Sequence, residues 1–506
     1  MELLLTVICG VITLISLVLF FVWNRLRYWK LRQIPHDEPL MFLGNMRPNT
    51  HQSTPMNQLY KKYKGTGPFC GLYFFMTPAV LTLDLDLVKK VLIKDFTNFS
   101  DRGFFSNQVD DPLSAHLLTL DGKGWRLLRN KLSPTFTSKQ MKFMFPSVVE
   151  VGHRFVKTLS EIIGEQNSEL IEIKDLNARF TTDVIGSCAF GLECNSLTDP
   201  NAEFRKYGRL IFEEQNHHAL ILGFMQSSPK LARLLRMRMT RRDVEKFFME
   251  AVRGTVEYRE KNNIRKNDFM SLLIDLKNNK PIYSEDGKQV DTSGLTMEEL
   301  AAQAFLFWVA GFETSSSTMT YAIYELARNT DIQDKLRQSI NEVLEKHDGE
   351  LTYESLKEMH YFDQVFDETL RFYPIVPFLQ RIAASDYSST SDPKYKIEKG
   401  SLIFIPVEAI HYDPEIYPNP CTFDPERFSS EEKAKRDTVA YLPFGEGPRN
   451  CVGLRFGKMQ AIIGLVSLIR NFKFSWCEET PTKLQYDPAQ ILLATRHGIH
   501  LKVEKV

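Results

Sequence analysis

The chain is 506 residues long and 43% hydrophobic, and its 63 Lys and Arg residues match its 63 Asp and Glu residues. A chain of this size buries a large core, and a formal net charge of zero argues against nucleic acid or an acidic macromolecule as its target. Its cysteines, at 9, 70, 188, 194, 421, 451 and 477, are odd in number, scattered and free of any C-x-x-C pair. That excludes a disulfide framework or zinc knuckle and suits a reducing compartment.

The first element is an uncharged run from Leu3 to Trp23, 21 residues that as a helix span about 31 Å, one bilayer core. Glu2 precedes it and Arg25, Arg27, Lys30 and Arg32 follow, so the positive-inside rule leaves the remainder in the cytosol. The alternative, a cleaved signal peptide, calls for a basic start and a shorter apolar run. No later stretch reaches spanning length without a charge. We therefore expect a membrane anchor over 1–23, a basic, proline-containing linker over 24–50, and one globular domain over 51–506. Pro35 and Pro39 deny the linker a helix and make it a stiff spacer.

Residues 67–84, "GPFCGLYFFMTPAVLTLD", predict two apolar strands around a turn at Thr77-Pro78. Helical periodicity then dominates to about residue 373, and the last third mixes short strands and loops with a helix after Cys451. The fold class is mainly α with a minor β region.

Several stretches carry polar groups where the pattern predicts burial. "GKGWRLLRNKL" puts Trp125 and Arg129 at i,i+4 on one helical face, the arrangement of a cation lying over an indole. "TMEELAAQAFLFWVAGFETSSSTMTYAIYELARN" opens with Thr296 and Glu299 spaced as a capping box and runs about 32 residues, roughly 48 Å. Residues 300–312 are apolar on every face except Gln303. Within them Gly311 costs the helix about 1 kcal/mol relative to alanine. Thr314 can bond back to the Ala310 carbonyl and bend the helix, beside the carboxylate of Glu313. A carboxylate there is costly to bury without a partner or a task; a tolerated polar patch is the alternative. Glu368 and Arg371 can pair at i,i+3, with Arg427 in "FDPERF" as a third member, and the plain alternative is a solvated surface pair. Finally, "FGEGPRNCVG" crowds Gly445, Gly447 and Pro448 into a tight turn that presents Cys451 at the mouth of a helix.

In order along the chain, these pieces are Trp125-x-x-x-Arg129, Ala310-Gly311-x-Glu313-Thr314, Glu368-x-x-Arg371, Pro425-Glu426-Arg427-Phe428 and Phe444-x-x-Gly447-x-Arg449-x-Cys451-x-Gly453. Together they resemble the haem-thiolate monooxygenases, the cytochrome P-450 superfamily, over the whole chain after the anchor. The spacer "IPHDEP" departs from the Pro-Pro-Gly-Pro hinge of vertebrate members. With "HYDPEIYPNPCTFDPERF", it is similar to insect microsomal members that metabolise xenobiotics such as insecticides and plant toxins.

The resemblance implies the cytochrome P-450 fold with haem b (iron protoporphyrin IX) held by the Cys451 thiolate. A thiolate ligand pushes electron density to the iron and favours O–O cleavage. By the same resemblance Arg449, Trp125 and Arg129 hold the propionates, with Arg381 and Arg102 in similar places. Phe444 shields the sulfur, and Gly447 and Gly453 admit backbone close to the porphyrin. Gly311 lies at the cofactor, Glu368, Arg371 and Arg427 form a structural triad, and Glu313 and Thr314 deliver protons during dioxygen activation. Pocket walls are implied at 102–120, 205–225, 301–314, 375–380 and 490–494, where the aromatic and aliphatic side chains suit a lipophilic small molecule, a xenobiotic or an endogenous lipid or steroid.

Only some 35 residues follow the haem-binding helix, so electrons are expected from a separate NADPH-dependent cytochrome P-450 reductase, with cytochrome b5 as a further partner. The expected dock is Arg129, Lys131, Lys433, Lys435, Arg436, Arg455 and Lys458, in an endoplasmic reticulum membrane with the catalytic domain on the cytosolic face. Rival readings are a non-oxygenating isomerase of the same fold and a non-catalytic haem carrier or sensor, neither of which needs the Glu313-Thr314 pair. A nicotinamide dehydrogenase fails because "GEGPRN" has Asn450 where its third glycine belongs.

Overall fold

The computed structural model describes residues 1–214, 216–280 and 294–506. Its first helix, Glu2–Arg25, leaves every side chain from 2 to 21 exposed. An apolar helix of 24 residues with no protein around it fits a membrane anchor.

The residues after the helix are not a free tether. Trp29 and Ile34 are buried, the Trp29 indole Nε1 donates to the Leu72 carbonyl at 3.0 Å, and the Trp29 N–H donates to the Tyr73 hydroxyl at 3.0 Å. The ring lies flat on Gly71, where any Cβ would overlap it. Residues 28–46, expected as spacer, therefore close the small sheet.

That sheet has four strands in the order Phe69–Phe74, Thr77–Thr82, Leu402–Ile405, Leu379–Ile382. The first pair is an antiparallel hairpin with Phe69 opposite Thr82, and the second pair is parallel with Ala79 opposite Leu402. The hairpin turns at Phe75 and Met76, two residues before the expected Thr77-Pro78, with Phe75 at φ +53°. Pro78 instead precedes the first rung of the parallel ladder, where no N–H is required. A second sheet joins Ser168–Glu172, His500–Lys505 and Phe472–Ser475.

The rest is helical, organised around Met297–Arg328, 32 residues long and closed at its start by the Thr296–Glu299 capping box. Its neighbours interlock through small residues. A Cβ on Gly311 would lie 2.6 Å from Ile185 of helix Ile173–Ile185, and one on Gly464 of helix Leu454–Asn471 would lie 2.5 Å from Met319. Polar residues complete the contact: Asn177 donates to the Thr320 hydroxyl at 3.0 Å, and Gln460 donates to the Gly311 carbonyl at 3.1 Å. The helix is buried from Leu300 to Trp308 and from Ser315 to Ala327, but Ala310 is exposed and Val309, Gly311 and Thr314 half-buried. Solvent-sized access in the middle of a central helix means that this face borders an internal space.

Deleting residues 1–21 should leave the melting temperature of the domain unchanged, because those side chains are all exposed. Deleting 1–33 also removes Trp29, and losing a buried tryptophan costs about 3–5 kcal/mol. Thermal denaturation followed by circular dichroism should therefore separate the two truncations clearly.

Candidate active site

The turn around Cys451 is built by its own backbone. The Cys451 N–H donates to the Phe444 carbonyl at 2.9 Å, Gly445 N–H to Leu442 at 3.0 Å, and Asn450 N–H to Gly447 at 3.0 Å. Gly445 and Gly447 sit at φ +68° and +73°, where a side chain is strained. A Cβ on Gly447 would also overlap the Leu92 carbonyl, so this glycine serves packing of the loop against segment 90–94. The sequence reading gave Gly447 to close porphyrin contact; the backbone of Leu92 occupies that side instead. Gly453 has only Phe136 near its Cβ position, at 3.7 Å.

The helix after the loop begins at Leu454 with Gly453 as its cap, three residues past the cysteine. One backbone N–H, that of Gly453, reaches the Cys451 sulfur. Burial pushes this thiol up from its ordinary value, against the Gly453 N–H and the Arg129 and Arg102 charges, which pull it down. Left to itself the sulfur stays protonated, and a metal that coordinates it removes the proton. Cys451 lies deep in the molecule yet keeps exposed surface, as Ala310 does, because both border the internal space.

A cluster of guanidinium groups stands nearby. Arg449 lies over the Trp125 ring at 4.1 Å, and its Nη2 donates to the Leu120 carbonyl at 3.0 Å and to Asp121 Oδ1 at 3.2 Å. Arg102 donates to the Arg449 and Leu118 carbonyls at 2.8 and 3.3 Å. Arg381 donates from Nη1 to the Gln380 carbonyl at 2.8 Å. Arg102, Arg381 and Arg449 are all held below the usual guanidinium range, chiefly by burial, and Arg102 also by the charges of Arg381, Arg449 and Arg129. The anions that pair with Arg449 are Asp121, at 3.2 Å, and Asp101, at 3.8 Å. Arg449 Nε and Nη1 and Arg381 Nε are buried without a hydrogen-bond partner. Unsatisfied buried donors are costly, so this cluster fits a ligand with carboxylates of its own.

Arg129 differs from expectation. It is Arg449, and not Arg129, that covers Trp125. Arg129 donates instead to the Asn450 carbonyl and side-chain oxygen at 2.7 and 2.8 Å, which braces the residue before Cys451. Asn450 and Asp121 are site residues that sequence reasoning missed. No local signal marks them, since each acts through a partner more than 300 residues away.

On the long helix, the Thr314 hydroxyl donates to the Ala310 carbonyl at 2.6 Å, and both residues face the internal space. Glu313 is buried and accepts from the Ser317 hydroxyl at 3.4 Å. The missing Cβ of Gly311 makes room for Ile185, so helix packing alone requires glycine here. Two expected wall residues turn elsewhere as well: Phe305 meets Phe248 at 5.1 Å, and Phe307 meets Phe136 at 5.1 Å and Phe269 at 5.4 Å.

Glu368, Arg371 and Arg427 do come together, Glu368 and Arg371 fully inside the protein and Arg427 half-buried at their edge. Arg371 donates twice to Glu368, at 2.7 and 2.8 Å, and the Asp424 N–H donates once at 2.8 Å. Arg427 approaches Glu368 at 3.7 Å and donates to the Asn419 carbonyl. His411 Nε2 accepts the Leu442 N–H at 3.0 Å and links this triad to the Cys451 loop. The expected docking cations are largely engaged: Lys433 pairs with Asp367, Lys458 with Asp363 and Lys435 with Glu432, Arg436 donates to the Arg427 carbonyl, and Lys131 is buried.

No group of three or more His, Cys, Asp and Glu that could hold a metal occurs among the described residues. The donor set is one sulfur facing an internal space, with surplus guanidinium groups at its edge. It fits an iron that brings its own ring of ligands and two acidic side chains, as haem does. The residues present fit that group.

Comparison with known proteins agrees. Residues 34–503 match the family model described as cytochrome P-450. Cytochrome P-450 6a8 of Drosophila melanogaster is 52% identical over 501 residues, 98% of each chain. Cytochrome P-450 6a2 of the same organism is 50% identical over 500 residues, again 98% of each. Cytochrome P-450 6A1 of Musca domestica is 48% identical over 500 residues, 97% of this chain and 96% of that one.

Replacing Glu368 with alanine leaves Arg371 buried and uncompensated. Breaking one side of such a pair costs about 3–5 kcal/mol, so Glu368→Ala should lower the urea midpoint sharply. Replacing an exposed pair member, as in Lys142→Ala, which frees Glu354, should shift it by less than about 1 kcal/mol.

Proposed function

Because the chain belongs to the cytochrome P-450 family and is a haem-thiolate monooxygenase, we propose that it inserts one oxygen atom from dioxygen into lipophilic xenobiotics such as insecticides or plant toxins. Endogenous lipids or steroids are substrates of the same chemical class. Members of this family draw electrons from redox partners. Here the source we propose is NADPH through a separate reductase in the endoplasmic reticulum membrane, with cytochrome b5 as an accessory donor.

The observations that carry this reading are the surface kept by the deeply placed Cys451 and by Ala310 of the central helix, and the unsatisfied buried donors of Arg449 and Arg381. Haem b bound through Cys451 supplies the iron at which dioxygen is activated, with the thiolate as electron donor. The chain's own residues do the rest. Arg102, Arg381 and Arg449 offer donors to the propionates, and Arg449 is held by Trp125 beneath it. Arg129 holds Asn450 and so the height of the sulfur. The Gly453 N–H bonds the sulfur and tempers its charge. Phe444 excludes water from the sulfur, and apolar walls that include Phe105, Leu117, Ile375 and Phe378 keep the space dry and favour lipophilic molecules.

Productive reduction of dioxygen consumes protons in a place otherwise too apolar to provide them. Thr314 Oγ1, one turn from Ala310, orders the last donor, and Glu313, the preceding residue, is the carboxyl group we assign to feed it. A buried acid beside a hydroxyl at a helix bend favours monooxygenation over isomerisation or haem storage, neither of which requires proton supply.

Reconstituted with the reductase and NADPH, the wild-type protein should oxidise lipophilic substrates, detected by mass spectrometry of products. Cys451→Ala should lose both turnover and the red-shifted Soret band of the reduced carbon monoxide complex, and an unchanged band would end the thiolate assignment. Thr314→Ala should bind haem normally and still consume NADPH, yet release more hydrogen peroxide per product, by roughly tenfold or more if general acid assistance is worth its usual 10²–10⁴. Turnover supported by an organic peroxide should suffer much less. Equal loss by both routes would mean a pocket defect.

A further inference from the structure

Gln303 is the one polar interruption in the apolar first half of the long helix, and no role proposed above uses it. It is almost completely buried. Its Nε2 donates to the Glu299 carbonyl at 3.1 Å, one turn back, which fixes the amide plane. Its Oε1 then accepts the backbone N–H of Leu117 at 3.0 Å, across a separation of 186 residues. Leu117 belongs to an irregular segment whose backbone groups have few partners in regular structure. One and three residues on, the same segment is held by the arginine cluster: Arg102 and Arg449 donate to the Leu118 and Leu120 carbonyls.

We propose that Gln303 is a positioning residue for substrate recognition: its side-chain amide clamps the 114–121 segment between the long helix and the arginine cluster and so sets how far that wall stands from the site. The assignment rests on the reading that residues 102–120 wall the substrate cavity. Two other glutamine amides hold the preceding stretch, 102–105. Gln380 donates to the Arg102 carbonyl at 2.8 Å, and Gln226 accepts the Phe105 N–H at 3.3 Å. Each comes from a different element, so side-chain amides tie this stretch to its surroundings at three points besides its own turns. Gln303 is the deepest of the three and the one on the central helix. A buried amide N–H deprived of its acceptor must move to find another, and here movement shifts Leu117 and Leu118 together.

The test uses the full-length haem-loaded protein in phospholipid nanodiscs with Gln303→Met, which keeps the volume and removes both hydrogen bonds. Hydrogen exchange of a peptide covering 115–120 reads the clamp itself and should accelerate by about tenfold, the effect of one lost buried hydrogen bond. Affinities of imidazole and 1-phenylimidazole, from the shift of the Soret band, read the wall, because only the phenyl group reaches beyond the metal. The ratio of the two affinities should change by about fivefold or more, with imidazole itself unaffected. Gln303→Glu keeps an acceptor for the Leu117 N–H and should restore both readings. Leu118→Trp alters the wall directly and tests the underlying reading by itself. If Leu118→Trp changes the ratio and Gln303→Met does not, the clamp is wrong and the wall stands. If neither changes it, the segment is no wall and the proposal falls with that reading. Faster exchange with an unchanged ratio also overturns it, since the amide then holds the loop without setting the pocket.

Discussion

The molecule turns on one demand, that the Cys451 sulfur act as an anion in a place where burial favours the neutral thiol. Nothing in the loop alone satisfies it, since a single backbone N–H and two arginine charges oppose the desolvation without overcoming it. The remaining charge has to come from a cation bound at the sulfur. On the proposed haem-thiolate reading the surrounding structure holds a large planar metal group there, and the bracing of the loop serves that reading. The loop is kept rigid by left-handed glycines and by the backbone of segment 90–94. It is braced from the side by Arg129 through Asn450, and tied from behind by His411 through Leu442.

Behind the loop, the triad shows why a buried ion pair is tolerated in so apolar a core. Glu368 collects two N–H groups from Arg371 and one from Asp424, so its oxygens are nearly saturated. Arg371 spends its remaining donors on the His411 and Thr422 carbonyls. The pair thus joins its own helix to the end of helix Val407–His411 and to the irregular stretch at 422–424. Such a network specifies geometry more than it adds stability. In front of the loop the arginine cluster is the reverse case, with cations exceeding local anions and donors left over. The first is a finished piece of structure and the second half of a binding site.

How much of this was legible beforehand depended on range. The long helix and its capping box, the tight turn before Cys451 and the apolar anchor follow from spacings within a few residues, and the structure reproduces the first two almost residue for residue. The linker misled because prolines forbid helix but say nothing about burial. Trp29 finds its place on Gly71, 42 positions away. Arg129 misled because i,i+4 spacing to Trp125 is local, whereas the cation that takes the indole face arrives from residue 449. Gly311 and Gly447 each have another segment lying where a Cβ would go, a constraint that no local spacing announces.

The sequence by itself determined the class of chemistry, since five motifs in order, ending in an invariable demand for one cysteine in one stiff turn, fit a single family. It also determined the terminal apolar helix and the predominance of α structure, because periodicity and apolar length are properties of neighbouring residues. Only the tertiary structure decided which arginines lie unsatisfied at the site, which glycines serve packing, which phenylalanines turn away from the pocket, and that Gln303 reaches Leu117. Those facts depend on contacts between residues tens to hundreds of positions apart, and side-chain direction across such distances is set by how helices and loops pack, which no local pattern encodes.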